Sequence, residues 1–144
     1  TYHVFNMYKV HHNATLIPVF NNIDRYETEW DEPVVSRFDL ELDEPGIPVI
    51  SSTVSKDKEG RIHFTVSNLH PNDTQEVTFE IRGMNVNKIV QGSAKLLTGN
   101  SVDAINTFNN PDQVQPAAYK DAKLNNGKLT LKIPKHSLVV IGLE

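Results

Sequence analysis

The residues of this sequence equipped for chemistry are its carboxylates, its histidines and one aromatic pair. Between Asp24 and Glu44 stand nine carboxylates (Asp24, Glu27, Glu29, Asp31, Glu32, Asp39, Glu41, Asp43, Glu44) against Arg25 and Arg37. The segment carries −7 in a chain of −4, so the remainder is +3. Calcium sites are built from several oxygen ligands of this kind, but the Asp-x-Asp-x-Asp-Gly order of an EF-hand loop is absent. The pattern reads as a solvated strand face or loop. Acid–base cleavage of a glycosidic acetal needs a different arrangement. Two carboxyl groups must oppose each other, about 5–5.5 Å apart for retention or about 6.5–9.5 Å for inversion, one of them held protonated by burial. Most acids here sit among other acids or in turns, and Glu76 and Glu80 fall on the outward side of an alternating stretch.

The histidines form two loose groupings, His3 with His11 and His12, and His63 with His70. Adjacent histidines on a helix point to different faces, so His11 and His12 do not share an ion. No acid completes a zinc spacing, and these residues read as surface or interface histidines. There is no Gly-x-Ser-x-Gly elbow to support a Ser-His-Asp site. With no cysteine in the chain, a thiolate nucleophile, a thiolate metal site and disulfides are all excluded. Tyr26 and Trp30, four residues apart, share one face if the segment is a strand. Exposed rings there could stack on sugar faces beside the acidic segment, as in a carbohydrate-binding module. The plainer reading is that they pack a core or dock on another domain, where large amphipathic aromatics are enriched. The sequons Asn13-Ala-Thr15 and Asn72-Asp-Thr74 are given no role.

A chain of 144 residues is one domain's worth and buries about 68–70% of its unfolded surface, enough for a single core. The acidic balance speaks against nucleic acid, whose phosphates require a basic patch. No run approaches the ~18–20 apolar residues of a membrane span, and no basic-then-apolar leader opens the chain. The first residue is Thr1, not Met, followed at once by the apolar-rich run Tyr2 to Tyr8. That opening reads as a cut from a longer protein.

The elements follow from periodicity. Tyr2, Phe5 and Val4 or Tyr8 give a helical stripe, ended at His11-His12-Asn13. Beyond it alternation takes over, first in Leu16 to Phe20 and Ile23 to Trp30, then in the β-branched run Val49 to Val54. Ile62, Phe64 and Val66 alternate with polar residues after a turn at Lys58–Gly60, and Val77, Phe79 and Ile81 do so after His70–Asp73. Residues 61–82 thus read as an antiparallel hairpin with one wet face. Ile89 to Leu97 reads as a strand bulged at Gly92. Asn125-Asn126-Gly127 is the strongest hairpin signal, between Lys123-Leu124 and Lys128 to Ile133. The apolar run Leu138 to Leu143 predicts a strand buried on both faces or centrally placed. Met7 and Met84 read as core or interface filler. Many short strands behind one helix describe a β-sandwich.

Residues 103–116 are the most distinctive stretch. Ile105 and Phe108 are placed to anchor an irregular loop to a core, while Asn106, Asn109 and Asn110 can bond its turning backbone and Pro111 and Pro116 restrict its path. With Asn106-Thr107-Phe108, Pro111, Val114 and Pro116, followed by Gly127 to Leu131, Pro134 and Val139-Val140, the chain resembles the end of the α-L-arabinofuranosidases of glycoside hydrolase family 51. Thr1 to His12, Pro45 to Pro48, Ser55 to His63 and Val66 to Leu69 extend the resemblance over nearly the whole chain.

That resemblance implies an all-β, antiparallel, jelly-roll-like β-sandwich, preceded by one short helix left over from a (β/α)8 barrel. Residues 1–13 would be that helix and the hand-over, and 14–144 the C-terminal sandwich. The parent would remove terminal α-L-arabinofuranosyl groups from arabinoxylan or arabinan with retention, through two glutamates in the upstream barrel. The family's Asn-Glu acid/base dipeptide does not occur here, so no catalytic, substrate-binding or metal residue is transferred and no cofactor is implied. The expected partners are that barrel, further copies of the chain and, through the parent, arabinose-containing glycans. The alternative is a carbohydrate-binding module using Tyr26 and Trp30. The cytoplasm is the expected compartment, with secretion or the periplasm left open. Tyr2, Phe5, Met7 and Tyr8 are expected to form an exposed apolar patch without the barrel.

Overall fold

The computed structural model describes residues 2–20, 22–26 and 47–144. A helix α1 (Tyr2–Tyr8) runs into a 3-10 turn (Lys9–His11), and the chain leaves it through Asn13 at φ 58. The stop falls where His11-His12-Asn13 predicts it, because Asn tolerates the left-handed conformation. Eleven strands follow among the described residues: β1 (Thr15–Ile17), β2 (Arg25–Tyr26), β3 (Ile47–Pro48), β4 (Ile50–Lys56), β5 (Ile62–Asn68), β6 (Gln75–Glu80), β7 (Lys95–Thr98), β8 (Ala117–Ala118), β9 (Ala122–Asn125), β10 (Lys128–Ile133) and β11 (Ser137–Leu143). They form a six-stranded sheet in the order β1-β4-β5-β11-β7-β8, a three-stranded sheet β6-β10-β9 and a two-stranded ribbon β2-β3. All pairings are antiparallel.

The two larger sheets close on one core. Val54, Phe64, Val66, Val139, Ile141 and Leu143 from the first sheet belong to one cluster with Leu129, Leu131 and Ile133 from β10, and Val77 and Phe79 of β6 pack against it. Phe64 and Phe79 meet edge to face across the sheets, with ring centroids 5.1 Å apart, a favoured geometry for aromatic quadrupoles. On β10 and β6 the alternation seen in the sequence is obeyed: Leu129, Leu131 and Ile133 are buried, whereas Lys128, Lys132, Glu76 and Glu80 face out. The predicted hairpin is also present, with Lys128 opposite Asn125. Asn126 and Gly127 have φ of 48 and 73, the paired positive values of a type I′ turn.

Residues 61–82 do not form the predicted hairpin. β5 lies between β4 and β11 in the first sheet, while β6 pairs with β10 in the second. The turn at 69–74 carries the chain across the sandwich. Its hinge is Asn68, 1% exposed. The Asn68 Nδ2 lies 2.9 Å from the Asp73 carbonyl and 3.0 Å from those of Ile133 and Pro134, and its Oδ1 accepts from the His70 N–H at 2.9 Å. One side chain thus ties the end of β5 to the end of β10. Nor is the other face of β5 wet, because Thr65 is fully buried and His63 and Ser67 are half-buried. Alternation reports which residues face the core; it does not report what covers the opposite side.

The strand predicted at 89–97 is shorter than expected. Ile89 makes a single bridge to Leu143, the chain turns at 91–93 with Gly92 at φ 72, and the ladder resumes at Lys95. Ser93 explains the break. Its Oγ donates to the Val90 carbonyl at 2.7 Å and accepts from the Gly142 N–H at 3.0 Å, so a side chain takes the place of ladder backbone. Gly142 allows this close approach: a Cβ there would stand 3.3 Å from the Ser93 side chain, which would have to shift by a few tenths of an ångström.

Replacing Asn68 with Ala should destabilise the domain by about 2–3 kcal/mol, because buried carbonyls lose their donor. Asn68→Asp should cost more, since a carboxylate would face carbonyl oxygens. Urea denaturation of the two variants against the parent measures both, and equal midpoints for all three would refute the hinge.

Candidate functional site

A connected group of polar side chains lies on the outer face of the six-stranded sheet, beneath the segment that follows α1. Ser55 on β4 and Thr65 on β5 are buried, and His11 descends onto them from the 3-10 turn. Its Nδ1 lies 2.6 Å from Ser55 Oγ and its Nε2 lies 2.7 Å from Thr65 Oγ1. A neutral imidazole fits this pair, donating through one nitrogen and accepting at the other. Next to Ser55 across the ladder is His63, whose Nε2 lies 2.8 Å from Asp57 Oδ2. Burial, and then the neighbouring His63, push the His11 pKa below its ordinary 6.5. Desolvation draws the Asp57 carboxyl upward, but the His63 hydrogen bond and the Arg61 N–H outweigh it, and the net shift is downward.

This histidine is therefore a clamp. His11 reads as an interface residue from the sequence, and the structure makes that interface internal: it joins the helical segment to two strands 44 and 54 residues away. Beside it Met7, Leu97, Leu138 and Val140 form a second apolar cluster, with Tyr8, Val10 and Val114 packed on it. The helix thus docks on the sandwich through Met7. Of the four residues expected to form an exposed patch, Met7 is buried at 4% and Tyr8 half-buried, while Tyr2 and Phe5 are 74% and 71% exposed. With 100° per residue, Tyr2 and Phe5 fall on the side of the helix away from Met7.

The described carboxylates lack the burial that a glycosidase proton donor needs. No described Asp or Glu is buried, and several are tied to bases: Asp73 to His70, Glu80 to Arg82, and Glu144 to Lys88 and Arg61. Hydrogen bonds from Arg82 and from Lys88 hold the Glu80 and Glu144 carboxyls below the usual range, the reverse of what a proton donor needs. A cavity of about 700 Å³ opens between the chain after β1 and strand β6; among the described residues that line it Glu80 is the one acid, and most of the others are apolar. Among the described residues no group of three His, Asp or Glu could hold a metal ion. His63 and His70, grouped by sequence, bond to different acids.

Tyr26 lies on β2 with its ring edge-on to His70, centroids 5.0 Å apart, and packs on the main core. Trp30 and residues 27–44 of the acidic segment lie outside the described residues. The Asn-rich loop departs from expectation: Ile105 is 66% exposed and Phe108 fully so. Its attachment is through Val114 instead, which packs on the second cluster. A signal for this was present, since Val114 is the loop's one β-branched apolar residue between the prolines.

The described residues thus form a β-sandwich whose polar network fastens a helix and whose acids are unburied, several of them paired with bases. The family model described as the α-L-arabinofuranosidase C-terminal domain matches residues 1–137, and the chain belongs to that family. An intracellular exo-α-L-arabinofuranosidase of Bacteroides ovatus is 31% identical over 144 residues, covering all of this chain and 25% of that protein. The family 51 arabinofuranosidase of Xanthomonas axonopodis pv. citri superposes with a TM-score of 0.83 at 24% identity, over all of this chain and 26% of that one. The family 51 enzyme of Bifidobacterium longum gives 0.66 at 19% identity, over 85% and 21%. These two likenesses concern the fold. The chain spans about a quarter of the length of the relatives it matches. Among the described residues no helix is long and apolar enough to cross a membrane.

The clamp has a pH signature. Because the His11 pKa is lower folded than unfolded, the unfolded chain binds more protons as pH falls below about 6.5, and stability falls with it. The loss should run from about pH 6.5 down through the folded-state pKa. His11→Gln keeps hydrogen-bonding capacity without titrating, so its denaturation midpoint should vary less with pH over that window. Parallel slopes for the two proteins would remove His11 from the account.

Proposed function

We propose that this chain is the noncatalytic C-terminal β-sandwich domain of an enzyme that removes terminal α-L-arabinofuranosyl groups from arabinoxylan, arabinan or their oligosaccharides with retention. Its role is to brace the catalytic barrel and help form the oligomer. The nucleophile and the acid/base belong to that barrel, N-terminal to residue 1, and residues 1–13 hand the chain over to the sandwich at 14–144. The relative from Bacteroides ovatus, an intracellular and exo-acting enzyme, supports the terminal position of attack and the cytoplasm as the compartment.

One contrast carries this reading. The described acids are solvated, several of them paired with bases, and none is buried, whereas large apolar side chains at Tyr2, Phe5, Ile105 and Phe108 stand in solvent. Hydrolysis needs the opposite treatment of acids, and exposed apolar surface of this kind marks a contact with other protein. The Tyr26 ring, engaged with His70 and the core, supports packing over sugar stacking.

Residues 1–144, purified alone, should not hydrolyse a chromogenic arabinofuranoside, and arabino- and xylo-oligosaccharides should leave Trp30 fluorescence unchanged. Turnover by this chain would overturn the placement of the catalytic acids upstream. Saturable quenching without turnover would establish a carbohydrate-binding module in its place.

A further inference from the structure

We infer that Phe108 is the anchor by which the Asn-rich loop docks on the catalytic barrel of the same polypeptide, its ring seated in an apolar pocket of that barrel. The inference rests on the proposed function and names the contact through which the bracing acts.

The loop combines two properties rarely found together. Its tip exposes a complete phenylalanine ring, yet its backbone is tightly held. Asn106 Nδ2 donates to the Val114 carbonyl at 2.8 Å, and the Val114 N–H donates back to Asn106 Oδ1 at 2.6 Å. Across the tip, the Thr107 N–H donates to the Asn110 carbonyl and the Asn110 N–H to the Thr107 carbonyl, both at 3.1 Å. Asn110 N–H also reaches Thr107 Oγ1 at 3.1 Å. The ring is thus presented by a preformed frame, so that seating it costs little further ordering. Buried aromatics at the centre of a contact carry a large share of its energy. Residues 104–111 hold no charge, whereas Asp103 and Asp112 flank them, which matches a neutral pocket with a polar rim.

The occupant follows from position. The foot of the loop, Val114, packs on the apolar cluster that contains Met7 of α1, while Tyr2 and Phe5 stand in solvent on the opposite side of that helix. Free-standing complexes engage about 20–30 residues a side, and the large apolar side chains exposed on α1 and residues 102–108 are Tyr2, Val4, Phe5, Val102, Ile105 and Phe108. A covalently attached partner needs no such area, because its effective concentration is on the order of millimolar for a short connection. The Bacteroides ovatus relative carries three quarters of its length beyond the matched quarter, ample for that partner.

The test uses the full-length parent with a benzophenone amino acid in place of Phe108, irradiated and mapped by peptide mass spectrometry. An intrachain cross-link from position 108 to a residue upstream of position 1 is the expected result. A cross-link between copies, identified by mixing isotopically light and heavy protein, overturns the inference, and so does the absence of any cross-link. In the same protein Phe108→Ala should lower the thermal transition by roughly 2–4 °C, while the exposed neighbour variant Asn109→Ala leaves it in place; equal behaviour of the two also overturns it. Cleavage of a chromogenic arabinofuranoside by the full chain separates the failures. If the full chain cleaves and the cross-link goes elsewhere, only this inference falls; if it does not cleave, the proposed function falls.

Discussion

The burial of β11 on both faces is the constraint on which the rest of this domain depends. Val139, Ile141 and Leu143 point into the sandwich, and Leu138 and Val140 point the other way, beneath the helix; none is more than 7% exposed. Each such side chain removed from water contributes about 1.5–3 kcal/mol. Cover is therefore required on both sides of the strand. The three-stranded sheet supplies one cover and α1 with the foot of the Asn-rich loop supplies the other. A sheet with only one buried face would have no need of the helix.

Polar groups fix the positions of these covers. Hydrophobic burial is non-directional, so Met7 against Leu138 and Val140 would tolerate sliding. His11 between Ser55 and Thr65 does not, since hydrogen bonds fall off steeply with angle and distance. On the other side Asn68 plays the same part, fastening the crossover between the sheets to the end of β10. The polar residues buried among the described ones are Ser55, Thr65, Asn68 and Ser137, and each is hydrogen-bonded. The buried polar groups serve alignment, and none of the described carboxylates is buried.

The site was less legible in the sequence than the strands were. The spacing of His11 gives no hint of Ser55 or Thr65, which lie 44 and 54 positions away and are brought together by β4–β5 pairing. Phe108 misleads for a different reason. Aromatic residues in loops commonly tuck into a core, and a sequence records apolarity without recording which surface absorbs it. Within this domain the residue that does so is Val114.

What the sequence determined by itself was everything governed by local period and backbone freedom. Alternation at 62–66, 77–81 and 128–133 placed the strands, Asn126-Gly127 specified its turn through two positive φ values, and the unbroken run at 138–143 announced a strand covered twice. Family membership was also legible, because an irregular loop with fixed Asn and Pro positions is hard to reach by chance. The tertiary structure decided which strands pair. A hairpin between 61–68 and 75–82 satisfies the same alternation as two strands in opposite sheets, and period two cannot tell them apart. The choice lies with non-local terms: the ladders of β5 with β4 and β11, the ladder of β6 with β10, and the amide of Asn68 holding the crossing between them.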